Sequence, residues 1–472
     1  MASAPDFRTG RVVGLAATAA LGGFLFGYDS AVINGAISAI KSVFELSAVT
    51  IGFVVSIALI GSAIGAWFAG GLADRFGRRR VMLVAAALFL VAAIGQAFPF
   101  AVTDLMFWRF IGGAGIGVAS VVAPMYIAEI APAQIRGRMG SLQQLFIFIG
   151  IFATGLVNYL VLQAAGGNAR NTWLLGLEAW QWMFLSMTIP AVVYALLVLR
   201  IPESPRYLVA IGEPARAATV LQSIYTSNVE LIVGDIKQSL AGDHRPRFSD
   251  IRGRAFGLMP IVWIGILLSV FEQFVGISAV FYYSDVIWQS VGFSESQAFL
   301  TSLITTAISV IFTVVAITLV DRVGRKPLLL VGSVGLVVTL ATLTWVFGTA
   351  PVAADGEPVL TQGPAIIALI AFNAYVAFFA ATWGPMVWTL LGEIFPNRIR
   401  ATALAVAVAA QFIANFIVTT TFPGIAHFSL GLAYGLFTVF AVLSIPFVMR
   451  YLRETRGVPL ESMDQLEGPP AK

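Results

Sequence analysis

The chain has 472 residues, of which 58% are hydrophobic and only 11% are charged. Globular proteins carry about 25% charged residues, so this composition excludes a water-soluble enzyme. The net charge of +4 fits the basic bias that orients helices in a membrane, and a nucleic-acid partner is not expected. The chain has no cysteine and 2 histidines, His244 and His427, so neither a metal nor another cofactor is expected.

Apolar runs of about 20 residues, the length that a membrane-spanning helix needs, recur along the whole chain. Stretches such as Val81 to Ala93 are apolar on every side, which indicates helices and not the strands of a β-barrel. The first run has no cleavage site before Lys41, so we expect a retained helix and not a signal peptide. The twelve predicted spans are 12–38, 50–72, 81–101, 105–128, 141–163, 179–200, 257–287, 297–320, 327–349, 363–391, 402–424 and 430–450.

Basic residues fall almost entirely on the side of the membrane where the chain begins. Of the 28 Lys and Arg, only Lys41 and Arg170 lie in loops of the opposite side, and Arg109 lies within a span. This asymmetry predicts that both termini are cytoplasmic, in an inner or plasma membrane. The predicted divisions are a six-helix bundle in 1–200, a linker with short amphipathic helices in 201–255, a second bundle in 256–451 and a tail in 452–472.

Three loop motifs recur in the same order in both halves, which indicates a duplicated six-helix unit with its working site between the halves. The pairs are Asp74-Arg75-Phe76-Gly77-Arg78 with Asp321-Arg322-Val323-Gly324-Arg325, Glu129–Arg136 with Glu393–Arg400, and, more weakly, Pro202–Arg206 with Arg453–Gly457.

The recurring acids and bases predict ion pairs between helices that hold the two halves together while the cavity faces outward and break when it faces inward. The simpler interpretation, that basic residues only set orientation, explains the arginines but not the acids or the glycines. The candidate gate residues are Asp74, Arg75, Arg78, Glu129, Arg136, Glu203, Arg206, Asp321, Arg322, Arg325, Glu393 and Arg400.

Further motifs identify a family. They are Gly27-Tyr28-Asp29, Arg109-Phe110-Ile111-Gly112-Gly113, Pro124–Glu129, Gln273 with Gly276 and Tyr282-Tyr283, Gly384-Pro385 with Trp388, and Glu454-Thr455-Arg456-Gly457. With the loop motifs, they make the chain resemble the sugar porters of the major facilitator superfamily over nearly its whole length, and its bacterial sugar–proton symporters in particular.

The resemblance implies an all-α membrane protein of twelve helices in two pseudo-symmetric bundles, working as a monomer without catalysis. Its expected activity is uptake of a hexose or pentose coupled to proton symport by alternating access. An uncoupled sugar facilitator, a porter for a polyol such as inositol, and a membrane sugar receptor are the alternatives.

Asp29 in span one and Arg109 in span four are the candidate pair for proton coupling. A charge inside the membrane must be paired or in contact with water. Burial favours the neutral acid and a nearby arginine favours the carboxylate, so engagement by arginine can decide whether Asp29 carries a proton. The resemblance implies this role, and a fixed structural ion pair is the alternative.

A sugar presents hydroxyl edges and an apolar face, so its site needs polar side chains and an aromatic ring. Glu272 stands where relatives have a first glutamine, and Ser278 where they have an asparagine. A carboxylate can still accept two hydrogen bonds, and its protonation state is left open. The candidate site residues are Phe26, Gln144, Glu272, Gln273, Ser278, Trp388, Gln411 and Asn415.

The sequence departs from the glucose and xylose porters at several positions, which leaves the identity of the sugar open. Phe412 stands where these porters have tryptophan, and Ile151 where glutamine is common. Met187 replaces a glutamate of the xylose symporters' coupling network, and Gln181 replaces an arginine. Gly384-Pro385 is expected to interrupt span ten and to act as a hinge, and a fixed packing feature is the alternative.

Overall fold

The computed structural model describes residues 7–132, 135–242, 248–351, 360–395 and 399–454. Three candidate gate residues, Arg136, Asp321 and Arg400, have side chains outside the described part, and so do His244 and the tail from residue 455.

Within the described ranges, 12 helical spans are long and apolar enough to cross a membrane, as predicted. Large apolar side chains such as Trp67, Ile189 and Ile370 are exposed on the helix surfaces, where lipid would solvate them. The unbroken spans are the helices α1 (Thr9–Val43), α2 (Ala48–Phe76), α3 (Arg78–Ala97), α4 (Val102–Ile130), α5 (Arg136–Ala164), α13 (Glu295–Val323), α14 (Arg325–Gly348), α17 (Arg400–Phe428) and α18 (Leu430–Tyr451).

Three spans are each built from two helices. The pairs are α6 (Ala179–Ser186) with α7 (Thr188–Val198), α11 (Pro260–Phe274) with α12 (Ile277–Ser290), and α15 (Gln362–Ala381) with α16 (Trp383–Glu393).

The break in the seventh span requires glycine. Gly276 has φ 93°, in the left-handed region, and a Cβ at this position would lie 2.3 Å from the ring of Phe437. Both features exclude a side chain without a shift of the helices.

The break in the tenth span falls at Thr382, whose φ of −136° and ψ of −84° end α15. This is two residues before the predicted interruption at Gly384-Pro385. Pro385 is the third residue of α16, and in a first turn its missing N–H costs no helical hydrogen bond. The proline therefore begins the second helix instead of breaking the first.

Short elements fill the predicted linker and one loop. The linker contains α8 (Pro205–Ala210), α9 (Pro214–Ile224), α10 (Val229–Gly242), a 3₁₀ turn (Phe248–Ile251) and β1 (Arg252–Ala255), and a second 3₁₀ turn (Leu174–Gly176) precedes α6. Leu221 of α9 is buried in a cluster with Leu208 and Val233, as expected for amphipathic helices.

The chain packs as two compact units that do not follow the predicted sequence halves. The first comprises 1–30, 60–151 and 184–245, and the second 31–59, 152–183 and 246–472. We call the ends of the spans on the side of residue 9 the terminal side and the opposite ends the far side. The far-side segments of α1, α2, α5 and α6 therefore belong with the C-terminal half. The sequence boundaries stay a prediction from the repeat.

Candidate functional site

A buried ion pair lies in the first unit. Asp29 and Arg109 are both 0% exposed, and Arg109 Nη1 lies 3.5 Å from Asp29 Oδ2. The same nitrogen donates a hydrogen bond to the Asp29 main-chain carbonyl, at 3.1 Å. The arginine thus holds the backbone of α1 as well as the carboxylate, so part of its contact does not depend on the carboxylate charge.

Gln96 of α3 completes this cluster, and sequence reasoning missed it. Its Nε2 donates to Asp29 Oδ1 over 3.4 Å, and the residue is fully buried. Gly112 makes room on the other side, because a Cβ there would lie 3.0 Å from Asp29 Oδ1. The signal in the sequence that could have revealed Gln96 was a single amide within the apolar run of span three.

A second polar cluster lies in the second unit, around Glu272 of α11. Gln411 Nε2 of α17 donates to Glu272 Oε2 over 2.5 Å, and Gln273 Nε2 approaches the same oxygen at 3.4 Å. Ser278, next to the Gly276 break, donates to Gln273 Oε1 at 2.8 Å. Glu272 is 4% exposed and forms no ion pair with any residue of the described ranges. Four of the predicted site residues thus lie together, and the break in span seven brings Ser278 to Gln273.

One amide of this cluster keeps an unused hydrogen-bond acceptor. Gln411 Oε1 is buried without a hydrogen-bond partner among the described residues. Asn415, one turn along α17, accepts from Thr419 Oγ1 at 2.9 Å and is half-buried. A buried unpaired carbonyl oxygen is costly unless a ligand or water completes it. The cluster therefore has one acceptor oxygen that a ligand or water could complete.

The remaining predicted site residues occupy both units. Trp388, on α16 of the second unit, is half-buried, whereas Phe412 next to Gln411 is 6% exposed. Phe26 and Gln144 belong to the first unit, and both are half-buried. Their roles in sugar binding stay predictions.

The terminal side of the first unit carries the predicted charged residues. Arg78 Nη2 lies 2.9 Å from Glu129 Oε1 and 3.1 Å from Asp74 Oδ1. Ser204 donates a short hydrogen bond to the other oxygen of Glu129. Glu203 accepts from the main-chain N–H of Arg78 at 2.9 Å. These contacts tie the linker start to the α2–α3 loop and to α4.

The second unit repeats the arrangement. Arg325 contacts Glu393 through Nη2 and Nε, at 2.9 Å and 3.2 Å, as a bidentate pair. Glu454 accepts from the main-chain N–H groups of Arg325 and Lys326, each at 3.0 Å. Gly77 and Gly324 both have positive φ. A Cβ on Gly77 would approach the carboxylate of Glu203, and a Cβ on Gly324 would approach that of Glu454. The glycines are therefore required by the carboxylates that cap α14 and α3.

The ion pairs described for Arg78 and Arg325 each join helices of one half. Arg75 lies over its neighbour Phe76, with 5.2 Å from the guanidinium carbon to the ring centroid. Arg206 acts electrostatically on Glu129 of its own half, and Arg322 is exposed. The role of these residues in pairs between the halves stays a prediction.

On the far side, hydrogen bonds within the second unit join helices of the two sequence halves. They run from Asn34 Nδ2 to Ser284 Oγ (3.1 Å), from Thr420 Oγ1 to Ser56 Oγ (2.7 Å), from Ser38 Oγ to Gln289 Oε1 (3.4 Å) and from Gln163 Nε2 to Ser296 Oγ (2.5 Å). We call these contacts the far-side closure. Gly52 allows it, because a Cβ there would lie 2.3 Å from the Thr420 carbonyl oxygen.

A third buried acid, which sequence reasoning missed, lies beside the far-side closure. Asp285 is 3% exposed, and its main-chain N–H donates to Asn34 Oδ1 at 3.3 Å. It lies within the predicted span 257–287, and an acid within an apolar run was the signal that could have revealed it.

Twelve spans built as a repeat, with polar clusters inside them and capping carboxylates at their ends, define a polytopic membrane transporter. The family model described as "Sugar (and other) transporter" matches residues 15–466. The chain belongs to this family, which confirms the predicted resemblance and the expectation that it is not an enzyme.

Its relatives include a glucose transport protein of Synechocystis sp., 51% identical over 450 residues that cover 95% of this chain and 96% of the relative. The D-xylose-proton symporter of Escherichia coli K12 is 38% identical over 501 residues, covering 99% of this chain and 98% of the symporter.

Among solved structures, the proton:xylose symporter XylE bound to 6-bromo-6-deoxy-D-glucose matches with a TM-score of 0.81 and 38% identity, covering 98% of this chain and 100% of that one. The inward-open conformation of XylE from E. coli matches with a TM-score of 0.80 and 36% identity, covering 96% and 99%. The predicted fold class is confirmed.

Proposed function

We propose that the protein is a secondary active transporter that takes up a monosaccharide, a hexose or a pentose, together with protons by alternating access. The observation that carries this proposal is the presence of two buried clusters of different chemistry. One holds an acid beside an arginine, and the other holds an acid beside amides. Relatives named as glucose, xylose and arabinose transporters or proton symporters support the substrate class.

Asp29 is proposed to carry the coupled proton. When Arg109 engages the carboxylate, the pair is neutral without a proton, and when the arginine moves away, the buried acid must take up a proton. Because Arg109 also donates to the main-chain carbonyl of Asp29, its distance from the carboxylate depends on where α1 lies against α4. A conformational change of α1 against α4 would therefore alter the protonation of Asp29.

The sugar is proposed to bind at the Glu272 cluster. Gln273, Gln411, Ser278 and Asn415 would exchange hydrogen bonds with hydroxyl groups, and Trp388 would cover the apolar face. Phe26 and Gln144 are proposed to take part in sugar binding as well, as the sequence predicts.

The energetics suit nutrient uptake. A charge that moves through 100 mV releases about 2.3 kcal/mol, and tenfold accumulation costs about 1.4 kcal/mol. One proton per sugar would therefore sustain an accumulation of about 40-fold at this potential.

The chain is proposed to lie in an inner or plasma membrane with both termini in the cytoplasm, because the terminal side carries most of the basic residues. The far side would then face the exterior. A monomer is proposed as the working unit, and the terminal-side ion pairs are proposed to help close the cytoplasmic side.

Uptake of labelled hexoses, pentoses and polyols into proteoliposomes, with and without an imposed pH gradient, tests the proposal. Accumulation of one sugar above its external concentration, only with the gradient, is expected. Equilibration without accumulation would indicate a facilitator, accumulation of inositol alone a polyol porter, and binding without flux a receptor.

A further inference from the structure

We propose that Asp285 is a proton-operated latch of the far-side closure: the closure forms when this side chain is protonated and opens when it is ionised. The inference concerns a residue outside the proposed sugar and proton-coupling clusters. It rests on where the carboxyl group lies and on what surrounds it.

Asp285 lies at the contact between the two sequence halves. Asn34, on the far-side segment of α1, bonds to both Ser284 and Asp285 of α12, through its Nδ2 and Oδ1 atoms. Ser302 of α13 donates to Ser284 Oγ at 2.7 Å. Asn34 and Ser302 also face the Asp285 carboxyl group itself, which is 3% exposed, so α1, α12 and α13 enclose it, and α1 belongs to the other half of the chain.

Among the described residues, no cation balances a negative charge on the enclosed carboxyl group. Asp285 forms no ion pair with any described residue, in contrast to Asp29. Its Oδ1 atom is buried without a hydrogen-bond partner among the described residues. The groups that face it from α1 and α13 are the neutral Asn34 and Ser302, and the charged group that acts on it is another acid, Glu295 of α13.

Hydrogen bonds from neutral groups do not replace a cation, so a buried carboxylate here is costly, and a like charge nearby adds to the cost. The closure therefore favours the neutral acid, whose hydroxyl group can donate to a neighbouring oxygen. When α1 separates from α12, water reaches the side chain and the ionised form is restored. The proton comes from the far-side solution and returns to it, so the latch adds no net proton to the transport cycle.

The consequence is a dependence of the closure on the pH of the far side alone. A single linked proton changes the open fraction by up to about tenfold per pH unit. Low far-side pH favours the closed arrangement, and high far-side pH favours the open one. In a symporter this dependence on far-side pH is useful, because a proton from outside would help to close the protein behind its substrate.

The experiment uses a single introduced thiol, which is possible because the chain has no cysteine. Ser56 is 0% exposed and contacts Thr420 across the far-side closure, so Ser56→Cys reports its opening. Sugar-free proteoliposomes are treated with a membrane-impermeant maleimide at several pH values between about pH 5 and pH 8.

Because a thiol reacts faster at higher pH, rates are compared at each pH between S56C alone and S56C with Asp285→Asn. We expect equal labelling at low pH and faster labelling of S56C alone as pH rises, since Asn imitates the protonated acid. If the two rates keep a constant ratio across the range, the proposal is overturned. Asp285→Ser serves as the second neutral variant if Asp285→Asn does not reach the membrane.

Two further backgrounds assign the pH dependence to Asp285. It should persist in Asp29→Asn, the proposed coupling residue, and in Glu295→Gln, which removes the neighbouring acid. Loss of the pH dependence in either background, together with its survival in Asp285→Asn, would overturn the assignment. No transport is measured, so failure of the latch is distinguishable from failure of the proposed symport.

Discussion

The two clusters proposed for transport each bury a carboxylate inside a span, but they surround it with different partners. Asp29 faces an arginine, and Glu272 faces two glutamine amides. A cation allows a carboxylate to stay ionised in the interior, whereas amides offer only hydrogen bonds. Burial alone therefore does not give an acid its role. The partner does, and it makes Asp29 the candidate for charge movement and Glu272 the candidate for recognition.

The largest expected effect comes from removing the charge of Asp29. Asp29→Asn should abolish gradient-driven accumulation, so that the internal sugar concentration falls from tens-fold above the external one to equality. Sugar-for-sugar exchange should continue, because Arg109 keeps its hydrogen bond to the main-chain carbonyl of residue 29. Counterflow and pH-driven uptake in the same vesicles measure both activities.

Glu45→Gln is the control for this variant, since it removes an exposed acid just after α1. It should accumulate sugar like the wild type. If Asp29→Asn accumulates sugar like the wild type, the coupled proton is carried by another residue, and the proposed difference between the two acids is wrong.

This contrast was only partly readable from the sequence. The twelve spans, the repeat and the pair Asp29 and Arg109 follow from apolar runs and from the high cost of an intramembrane charge. Gln96 was missed because a neutral amide costs less in a span and so attracts less notice. The position of the tenth-span break was misplaced, because Pro385 fits a first helical turn as well as a kink. The Thr382 backbone that makes the break depends on tertiary packing.

The second expected effect concerns the Glu272 cluster. Glu272→Ala removes the acceptor of Gln411 and leaves buried amides unpaired, at a cost of about 1 to 3 kcal/mol, or roughly 5- to 150-fold in sugar affinity. Glu272→Gln should keep binding and flatten its dependence on pH, because an amide does not titrate. Equilibrium binding of sugar to purified protein across pH measures both variants.

Equal pH profiles for the wild type and Glu272→Gln would show that Glu272 does not titrate during binding. Its role would then be hydrogen bonding alone. Unchanged affinity in Glu272→Ala would remove the cluster from the sugar site.

A smaller loss is expected from Gln411→Ala. It removes one donor to Glu272 and the free Oε1 atom, while Gln273 remains beside the carboxylate. Loss of one hydrogen bond of about 1.4 kcal/mol weakens sugar binding about tenfold. Thr421→Ala, at an exposed position of the same helix, should bind as the wild type does. Equal losses in both variants would indicate a general disturbance of α17.

The smallest expected effect tests the geometry around Asp29 without changing any polar group. In Gly112→Ala, the new Cβ would lie 3.0 Å from Asp29 Oδ1 and 3.1 Å from Gln96 Nε2, so the carboxyl group must shift by a few tenths of an ångström. Gly115→Ala makes the same change one turn along α4, where the Cβ would meet Leu88 at 3.3 Å. Both substitutions favour the helix by about 1 kcal/mol, so helix propensity cancels between them.

Gly112→Ala should lower gradient-driven uptake about two- to fivefold, or roughly 0.4 to 1 kcal/mol, and leave exchange intact. Gly115→Ala should leave both activities near the wild type. If the two variants lose uptake equally, the loss comes from helix packing, and the position of the Asp29 carboxyl group does not limit coupling.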